Sequence, residues 1–159
     1  MRKILFFSDS HSNTDEMIAV IQETKDVDAI IHTGDHARDA ETLEAIFTHI
    51  PVYYVSGNCD FHSSYAPDER LVEVFGKRFL IAHGHQYNVK NEVHSNYRTI
   101  SQSGVEKCAD VVVFGHTHIP YVGLYNKMHV VNPGSVKYSR TYSVCEIDGE
   151  KISIKNCKL

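Results

Sequence analysis

Five short polar motifs carry the side chains of this sequence that could do chemistry, and each follows an apolar run. The motifs are Asp9-Ser10-His11, Gly34-Asp35, Gly57-Asn58, His83-Gly84-His85 and Gly115-His116-Thr117-His118. Histidine is the commonest metal ligand in proteins, and this chain has 11 histidines. If the fold brings the motifs together, their carboxylates and imidazoles would repel or stay unpaired unless a cation binds among them. The motifs therefore predict a metal site.

The apolar runs before these motifs predict the strands that position them. The runs are short and rich in Val, Ile, Phe or Tyr: Ile4–Phe7, Ala29–Ile31, Val52–Val55, Phe79–Ala82 and Val111–Phe114. Their nearly continuous apolar character is typical of strands that are covered on both faces. Because the carboxyl ends of parallel strands meet at one rim of an α/β sheet, the five motifs should converge there.

Three amphipathic stretches predict helices. They cover residues 13–25, with Asn13 or Ser12 as the cap, residues 40–49, after a capping Asp39, and residues 89–103, which Gly104 would end. The first part of the chain therefore has the order β-α-β-α-β, which implies parallel strands joined by right-handed crossovers.

Three further pairs of runs predict β-hairpins, with turns at Gly76-Lys77, Asn126-Lys127 and Asp148-Gly149. Together with the parallel strands, these hairpins predict an α/β fold with one mixed sheet, or two stacked sheets, flanked by helices. No repeat, linker or charge run divides the sequence, so residues 1–159 are expected to form a single domain.

Composition excludes several classes of protein. The 159 residues are 42% hydrophobic and 23% charged, which is typical of a folded chain rather than a disordered one. A net charge of −4 gives no electrostatic basis for nucleic-acid binding. We find no apolar run long enough for a membrane span or a signal-peptide core. The four cysteines form no CxxC pair, so we expect free thiols and a cytoplasmic location.

The types of donor narrow the choice of metal. A mixture of His, Asp and Asn suits first-row ions such as Mn, Fe, Co, Ni or Zn, and disfavours an all-oxygen Mg or Ca cage. Most motifs lack cysteine, which argues against a structural zinc site. About seven candidate ligands exceed the needs of one ion, and two ions roughly 3.5–4 Å apart serve phosphoryl transfer. Any single motif could be an ordinary loop, but five motifs after five apolar runs favour the metal site.

In this order, the motifs resemble those of the calcineurin-like metallophosphoesterases, especially the small bacterial and archaeal phosphodiesterases of that superfamily. The resemblance runs from residue 4 to about residue 140 and includes Gly57-Asn58-Cys59-Asp60, Asn132-Pro133-Gly134-Ser135 and Arg140. It implies a four-layer α/β/β/α sandwich with mixed β-sheets.

The resemblance also implies a ligand set for two divalent ions, with manganese the first choice. One ion would be held by Asp9, His11 and His118, the other by Asn58, His83 and His116, and Asp35 would bridge them. A hydroxide between the ions would then attack a phosphate ester in line with the leaving group, without a phosphoenzyme.

Cys59 departs from the pattern of many relatives, which carry a histidine at this position that is thought to protonate the leaving group. Cys59 is either an unusual proton donor or a packing residue, and its presence disfavours substrates with poor leaving groups. His85 could contact substrate phosphate and Asp60 could orient the site, or each could be a loop residue. His94, Tyr97 and Arg98 follow His85 on a predicted helix and could line the substrate cleft, but ordinary helix-face positions are favoured. The other unmatched histidines, 32, 36, 49, 62 and 129, are expected in the core or on the surface.

The sequence thus predicts a metal-dependent phosphodiesterase that acts on a small phosphate ester. The alternative is a binding scaffold that has lost catalysis, like the subunit of the retromer coat that resembles these enzymes. All seven candidate ligands are present, which favours the enzyme. A metal-storage or metal-sensing protein would more plausibly use thiolates. Small surface hairpins would allow a homodimer or homotetramer, and no membrane partner is expected.

Overall fold

Two five-stranded sheets dominate the computed structural model, which describes residues 1–60 and 66–159. In chain order the strands are β1 (Arg2–Phe7), β2 (Ala29–His32), β3 (Val52–Tyr54), β4 (Glu69–Val74), β5 (Lys77–Ala82), β6 (Val111–Val113), β7 (Tyr121–Tyr125), β8 (Met128–Asn132), β9 (Thr141–Asp148) and β10 (Lys151–Lys158). The first sheet has the order β10-β9-β1-β2-β3, and the second has the order β4-β5-β6-β8-β7.

Helices cover the outer face of each sheet. α1 (Thr14–Glu23) and α2 (Ala37–Ile46) pack on the first sheet, and α3 (Arg98–Glu106) packs on the second. Two 3₁₀ turns, His85–Tyr87 and Val89–Asn91, follow β5. In the parts of the chain that are described, no helix combines the length and apolar character that a membrane crossing requires.

The side chains of β1 show why the layers form. Ile4 and Phe6 point between the two sheets, where the Phe6 ring meets the Phe79 ring edge-on at 6.3 Å. Leu5 and Phe7 point the other way, into the cluster beneath α1 and α2. Because successive strand residues face opposite sides, a continuously apolar strand is buried on both faces. The predicted four-layer α/β/β/α sandwich is confirmed, with two stacked sheets rather than one.

Parallel pairing brings the ends of the important strands together. In the first sheet β1, β2 and β3 are parallel neighbours, as the predicted β-α-β-α-β order requires. In the second sheet β5, β6 and β8 are also parallel neighbours. In each sheet the carboxyl ends of three adjacent strands therefore lie side by side.

The predicted helix over residues 89–103 is wrong in its first half, and its predicted stop at Gly104 is wrong too. α3 begins only at Arg98, because Asn96 and Tyr97 have left-handed backbone, with φ of 57° and 52°. Gly104 lies inside α3 at the contact with the second sheet. A Cβ atom there would lie 2.4 Å from Cγ2 of Val112, so close packing requires glycine at this position.

Helix α2 also differs from its prediction. It spans Ala37–Ile46 rather than residues 40–49, and Asp39 lies in its first turn instead of capping it. The Asp39 carboxylate accepts hydrogen bonds from the Ser10 hydroxyl, at 2.6 Å, and the Ser12 backbone N–H, at 2.8 Å. Asp39 thus anchors the start of α1. That helix matches its prediction closely, although the Asn13 side chain makes no capping hydrogen bond.

All three predicted hairpins are present, as β4-β5, β7-β8 and β9-β10. Two of their turns are shifted by one residue, to Phe75-Gly76 and Gly149-Glu150, whereas Asn126-Lys127 lies where predicted. The four cysteines, all in the described parts, are free thiols as expected.

Candidate metal centre

The five polar motifs meet where the two sheets end. The first sheet supplies Asp9 and His11 after β1, Asp35 after β2 and Asn58 after β3; the second supplies His83 after β5 and His116 and His118 after β6. Neither sheet could form the cluster alone. The packing of the two sheets against each other therefore creates the site.

Most of these residues have an unusual backbone. Asp9, His11, Asp35, His116 and His118 have φ of 49°, 43°, 55°, 66° and 60°, in the left-handed region that L residues rarely adopt. Such conformations persist only where the surroundings hold them, and they concentrate at functional sites.

Two glycines let the motifs approach one another. A Cβ atom on Gly57 would lie 2.2 Å from Oδ1 of Asp35, and one on Gly115 would lie 1.9 Å from Oγ of Ser8. Both distances are far below van der Waals contact. Glycine at these positions is therefore required for the carboxylates of Asp9 and Asp35 to sit beside the neighbouring strand ends.

Asp9, His11 and His118 form one potential metal-binding group, with candidate ligand atoms all within 4.8 Å of one another. His118 Nε2 lies 3.0 Å from Oδ1 of Asp9. His11 Nε2 is buried without a hydrogen-bond partner, 3.8 Å from Oδ2 of Asp35. A buried ring nitrogen facing carboxylates with no partner of its own is the arrangement that a metal ion would satisfy.

Asp9, Asp35 and His83 form a second group, also within 4.8 Å. His83 Nδ1 lies 2.8 Å from the Thr33 carbonyl oxygen, which can only accept, so Nδ1 carries the proton. In the neutral ring, Nε2 then presents a lone pair to three oxygens: Oδ1 of Asn58 at 3.1 Å, of Asp35 at 3.4 Å and of Asp9 at 3.9 Å. A lone pair facing oxygen acceptors is repulsive unless a cation lies between them.

The charges of the site respond to this crowding. Burial alone lowers the pKa of His83, but the Asp35 and Asp9 carboxylates outweigh it and hold the pKa above its ordinary value. Burial alone raises the pKa of Asp35, but His83 and the Cys59 N–H bring it well below the ordinary range. The donor set therefore fits divalent metal ions.

His116 lies beside the group that contains His83. Its backbone N–H donates to Oδ2 of Asp9 at 3.1 Å, and its ring centroid lies 5.0 Å from that of His83. Burial, followed by the charges of His83 and Lys90, lowers the pKa of His116 to about 4. The ring is thus neutral at pH 7, the form in which imidazole binds a metal.

Several supporting residues were missed by sequence reasoning. The Asn132 amide donates to the Gly115 carbonyl at 2.9 Å and to the Thr117 hydroxyl at 3.0 Å, and so shapes the loop of His116 and His118. The Ser135 hydroxyl donates to the Asp9 carbonyl at 2.8 Å. The string Asn132-Pro133-Gly134-Ser135 was part of the family resemblance, but its role could not be read from sequence because its partners are distant in the chain.

His85, Cys59 and Asp60, the candidate site residues outside the predicted ligand set, lie around this centre. His85 is exposed, and its ring lies 5.6 Å from that of His83 and 6.0 Å from that of His116. Cys59 is exposed, and its backbone N–H donates to Asp35 at 2.9 Å. Asp60 accepts from the backbone N–H groups of His36, Ala37 and Gly57, so it orients the site loops rather than facing the centre.

The remaining histidines divide between core and surface. His32 is buried beneath the site, and His36 is half-buried with its ring 5.1 Å from that of His11. His129 is half-buried in strand β8. His49 and His94 are exposed, and His62 lies outside the described residues. Tyr97, expected on a helix face, is instead a core residue that packs on Phe114 and Tyr121.

A two-sheet α/β/β/α sandwich with His, Asp and Asn side chains converging on the strand ends defines a class, the metal-binding phosphoesterase fold. The sequence model of the calcineurin-like phosphoesterase superfamily domain matches residues 2–149, so the chain belongs to that superfamily.

Curated relatives belong to the same family. The chain is 28% identical over 158 residues to the probable metallophosphoesterase YsnB of Bacillus subtilis, covering 96% of this chain and 88% of the relative. It is 34% identical over 139 residues to a probable metallophosphoesterase of Methanothermobacter thermautotrophicus, covering 84% and 77%. These relatives support a phosphoesterase without defining a substrate.

Solved structures share the fold. A predicted phosphoesterase of Streptococcus pneumoniae superposes with a TM-score of 0.78 at 24% identity, over 99% of this chain and 89% of that one. Zinc-bound Vps29 of Entamoeba histolytica gives 0.77 at 17%, over 97% and 91%. A structure described as a novel archaeal phosphodiesterase gives 0.67 at 22%, over 98% and 99%. At these identities the likeness shows the fold alone.

Proposed function

We propose that this protein is a metal-dependent phosphodiesterase that hydrolyses small phosphate esters in the cytoplasm. It binds two divalent ions, and manganese is the preferred metal. The observation that supports this most directly is the site around His83. Its Nε2 faces Asp9, Asp35 and Asn58, while His11 Nε2 is buried without a partner nearby. A cation bound between these groups would satisfy both nitrogens.

Hydrogen bonds within the chain orient these groups toward the centre. Thr33 fixes the His83 ring with Nε2 directed at the centre, and the Cys59 N–H holds Oδ1 of Asp35. When bound, two divalent ions would activate a water as nucleophile and neutralise phosphate charge. Asp9 belongs to both potential metal-binding groups. Asp35 lies 3.4 Å from His83 Nε2 and 3.8 Å from His11 Nε2, so each carboxylate could serve both ions.

Leaving-group protonation limits the range of substrates. Burial, followed by the charge of Asp35, raises the pKa of the Cys59 thiol to about 11. Such a thiol keeps its proton at neutral pH and is a poor general acid. The exposed His85, beside His83 and His116, is the better-placed group for contact with substrate phosphate. The proposed substrates are therefore diesters whose leaving group needs little protonation, such as aryl esters.

A non-catalytic scaffold is the second candidate. The fold match to Vps29 favours it, because a TM-score of 0.77 at 17% identity shows that this architecture occurs in a vacuolar protein sorting protein. The two candidates differ in turnover, not in fold. The complete set of seven candidate ligands supports the enzyme.

The test is hydrolysis of bis-p-nitrophenyl phosphate by purified protein loaded with manganese, nickel or cobalt. We expect turnover that chelation removes, and a loss of at least about 100-fold in kcat/KM for Asp35→Asn and Asn58→Ala, since each removes a metal-binding group. Asp148→Asn, at an exposed carboxylate at the end of β9, is the matched control and should leave the rate unchanged.

Metal content measured on the same samples tests the two-ion site, and turnover separates the two candidates. We expect two ions per chain after saturation in the wild type, and fewer in Asp35→Asn with an unchanged circular dichroism spectrum. A value well below two in the wild type would contradict the two-ion site. Metal-replete protein that turns over no diester or monoester in a panel would favour the scaffold.

A further inference from the structure

An exposed aromatic ring stands at the rim of the candidate metal centre. Tyr138 is 56% exposed, and its ring stacks almost parallel on the His118 ring, at 4.8 Å and 15°. It also lies 5.5 Å from the His11 ring. In the described parts the other exposed large aromatic, Phe75, lies under the Arg2 guanidinium instead. Tyr138 therefore combines exposed aromatic surface with direct contact to two candidate metal ligands.

The turn that carries this ring is firmly anchored. Val136 is fully buried in the cluster beneath α1 and α2. The Tyr138 backbone N–H donates to the Ser135 hydroxyl at 3.0 Å, and that hydroxyl donates to the Asp9 carbonyl. The position of the ring is thus tied to the end of β1. A ligand at the metal centre would meet a preformed surface rather than a loose side chain.

A positive charge accompanies the ring. The Lys137 ammonium lies over the Tyr138 ring, 5.3 Å from its centroid. Lysine ammonium groups bind phosphate oxygens as point charges. This rim therefore offers an aromatic surface and a cation side by side, the two features that a phosphate bearing an aromatic group would contact.

The contact of Tyr138 with His118 leaves much of the tyrosine ring accessible to a ligand. His118 Nε2 is already held by Asp9 at 3.0 Å, and one stacked face is enough to orient the imidazole ring. More than half of the tyrosine surface nevertheless faces solvent. Without a ligand, this exposed part of the ring contributes no hydrophobic stabilisation, because it is not buried. An aromatic ring with an exposed edge can contact a second ring edge-on or in an offset arrangement.

We propose that Tyr138, with Lys137 beside it, forms an aryl-binding subsite that selects phosphate esters carrying an aromatic or heteroaromatic ring. This inference rests on the proposed function, because the subsite is meaningful only beside a phosphate-binding centre. Near His11, whose ring lies 5.1 Å from that of His36, a cavity of about 230 Å³ has His36, Arg38, Cys59 and Asp60 as its lining among the described residues.

The direct test is the binding of phenylphosphonate and methylphosphonate to the manganese-loaded protein, measured by calorimetry. Both probes present the same charged group, so the ratio of their affinities isolates the ring. We expect the wild type to prefer phenylphosphonate by about 2- to 12-fold, the range for one aromatic pair. Tyr138→Ala should abolish this preference, and Tyr138→Phe should retain it. Leu124→Ala, an exposed side chain on β7, is the control.

Metal content and kinetics distinguish a subsite from a positioning role. In Tyr138→Ala we expect two ions per chain as in the wild type, and a raised KM for aryl diesters with a smaller change in kcat. Loss of metal, or equal weakening of both phosphonates, would assign Tyr138 to positioning His118 and overturn the subsite. An unchanged preference, or a wild type that binds neither phosphonate or prefers neither, would overturn it too.

The subsite and the proposed function can fail separately. A phenyl preference that depends on Tyr138 in a protein without turnover would reject the phosphodiesterase and retain the subsite. Turnover without such a preference would retain the enzyme and reject the subsite.

Discussion

His32 shows how a single residue beneath the site is fixed by its surroundings. The Gly34 N–H donates to its Nδ1 at 3.2 Å, so in the neutral ring Nε2 carries the proton and donates to the Ser10 hydroxyl at 2.9 Å. Ser10 in turn donates to Asp39 at 2.6 Å. The neutral imidazole is fully satisfied, and a second proton would have no acceptor. Burial, partly opposed by Asp39 and Asp9, lowers the pKa of His32 to about 4.

This lowered pKa predicts that acid destabilises the metal-free protein. The ordinary histidine pKa of the unfolded chain is about 6.5. Between pH 6.5 and 4, His32 is therefore protonated in the unfolded state but neutral in the folded state. The stabilisation is complete above pH 6.5, declines as the pH falls and is gone below about pH 4. The loss attributable to His32 is at most about 3 kcal/mol in the free energy of unfolding.

The measurement is urea unfolding of the metal-free wild type and of His32→Asn from pH 7 to 4.5. Asparagine can still accept from the Gly34 N–H but does not titrate. We expect the variant to be less stable at pH 7 and to depend less steeply on pH. His116 titrates in the same direction and His83 in the opposite one, and both remain in the variant. Equal slopes for the two proteins would contradict the assignment to His32.

At the residue scale, sequence reasoning succeeded where the signal was local. Asp9, Asn58 and His116 each follow an apolar run, so their placement at strand ends could be predicted before the sheets were known. The role of Ser135 could not, because it depends on a hydrogen bond to Asp9 across 126 positions of sequence. Tyr138 carried no local signal either, since an isolated tyrosine in a turn is ordinary.

At the scale of elements, Asp39 illustrates how tertiary contacts override a local pattern. An Asp before an amphipathic stretch predicts an N-cap, yet Asp39 lies inside α2 and binds the chain at the start of α1. We expect Asp39→Ala to reduce the free energy of unfolding by about 1–3 kcal/mol, because the Ser10 hydroxyl and the Ser12 N–H lose their acceptor.

Denaturant unfolding at pH 7 with and without metal would measure this loss. Asp15→Ala removes an exposed carboxylate in the first turn of α1 and is the matched control. We expect it to change stability by less than about 1 kcal/mol. An Asp39→Ala variant as stable as this control would show that the Asp39 contacts contribute nothing.

The incorrect helix over residues 89–103 has a physical explanation of the same kind. Val89, Tyr97 and Ile100 recur at helical spacing, and all three are buried in the cluster beneath α3. They reach it through 3₁₀ turns and left-handed residues at Asn88 and Asn96, not through one continuous helix. Periodicity identified the buried positions correctly, but it could not reveal the interruptions in the backbone.

At the scale of the whole molecule, the four sheet edges are not equivalent. β10 carries lysines at 151, 155 and 158, β4 carries Glu69 and Glu73, and β3 has three residues. Charged residues and short strands discourage edge pairing. β7, Tyr121–Tyr125, has no charged side chain, and on it Val122 and Leu124 are 39% and 65% exposed. Two copies could pair antiparallel here around Gly123, with each tyrosine opposite the other.

We expect any self-association of this protein to use the β7 edge. Five-residue strands bury less than a standard interface of about 800 Å² per partner, so the affinity should be weak, in the micromolar range. Sedimentation velocity across a concentration series would show it. Leu124→Lys should give a monomer, whereas Leu71→Lys on the β4 edge should associate like the wild type. An association that persists in Leu124→Lys would place the interface elsewhere.

The origin of the site in both sheets has a consequence for the unfolded chain. Asp9 and His118, which meet in the native site, are 109 positions apart in sequence. An ion held by both would close a loop just over two-thirds of the chain long, much as a disulfide does. The entropic penalty of such closure grows slowly with loop length. In the folded protein, folding of the chain has already brought the two ends of the loop together, so metal binding does not incur this penalty again. The metal centre would then act as a reversible cross-link in a protein whose cysteines are all free.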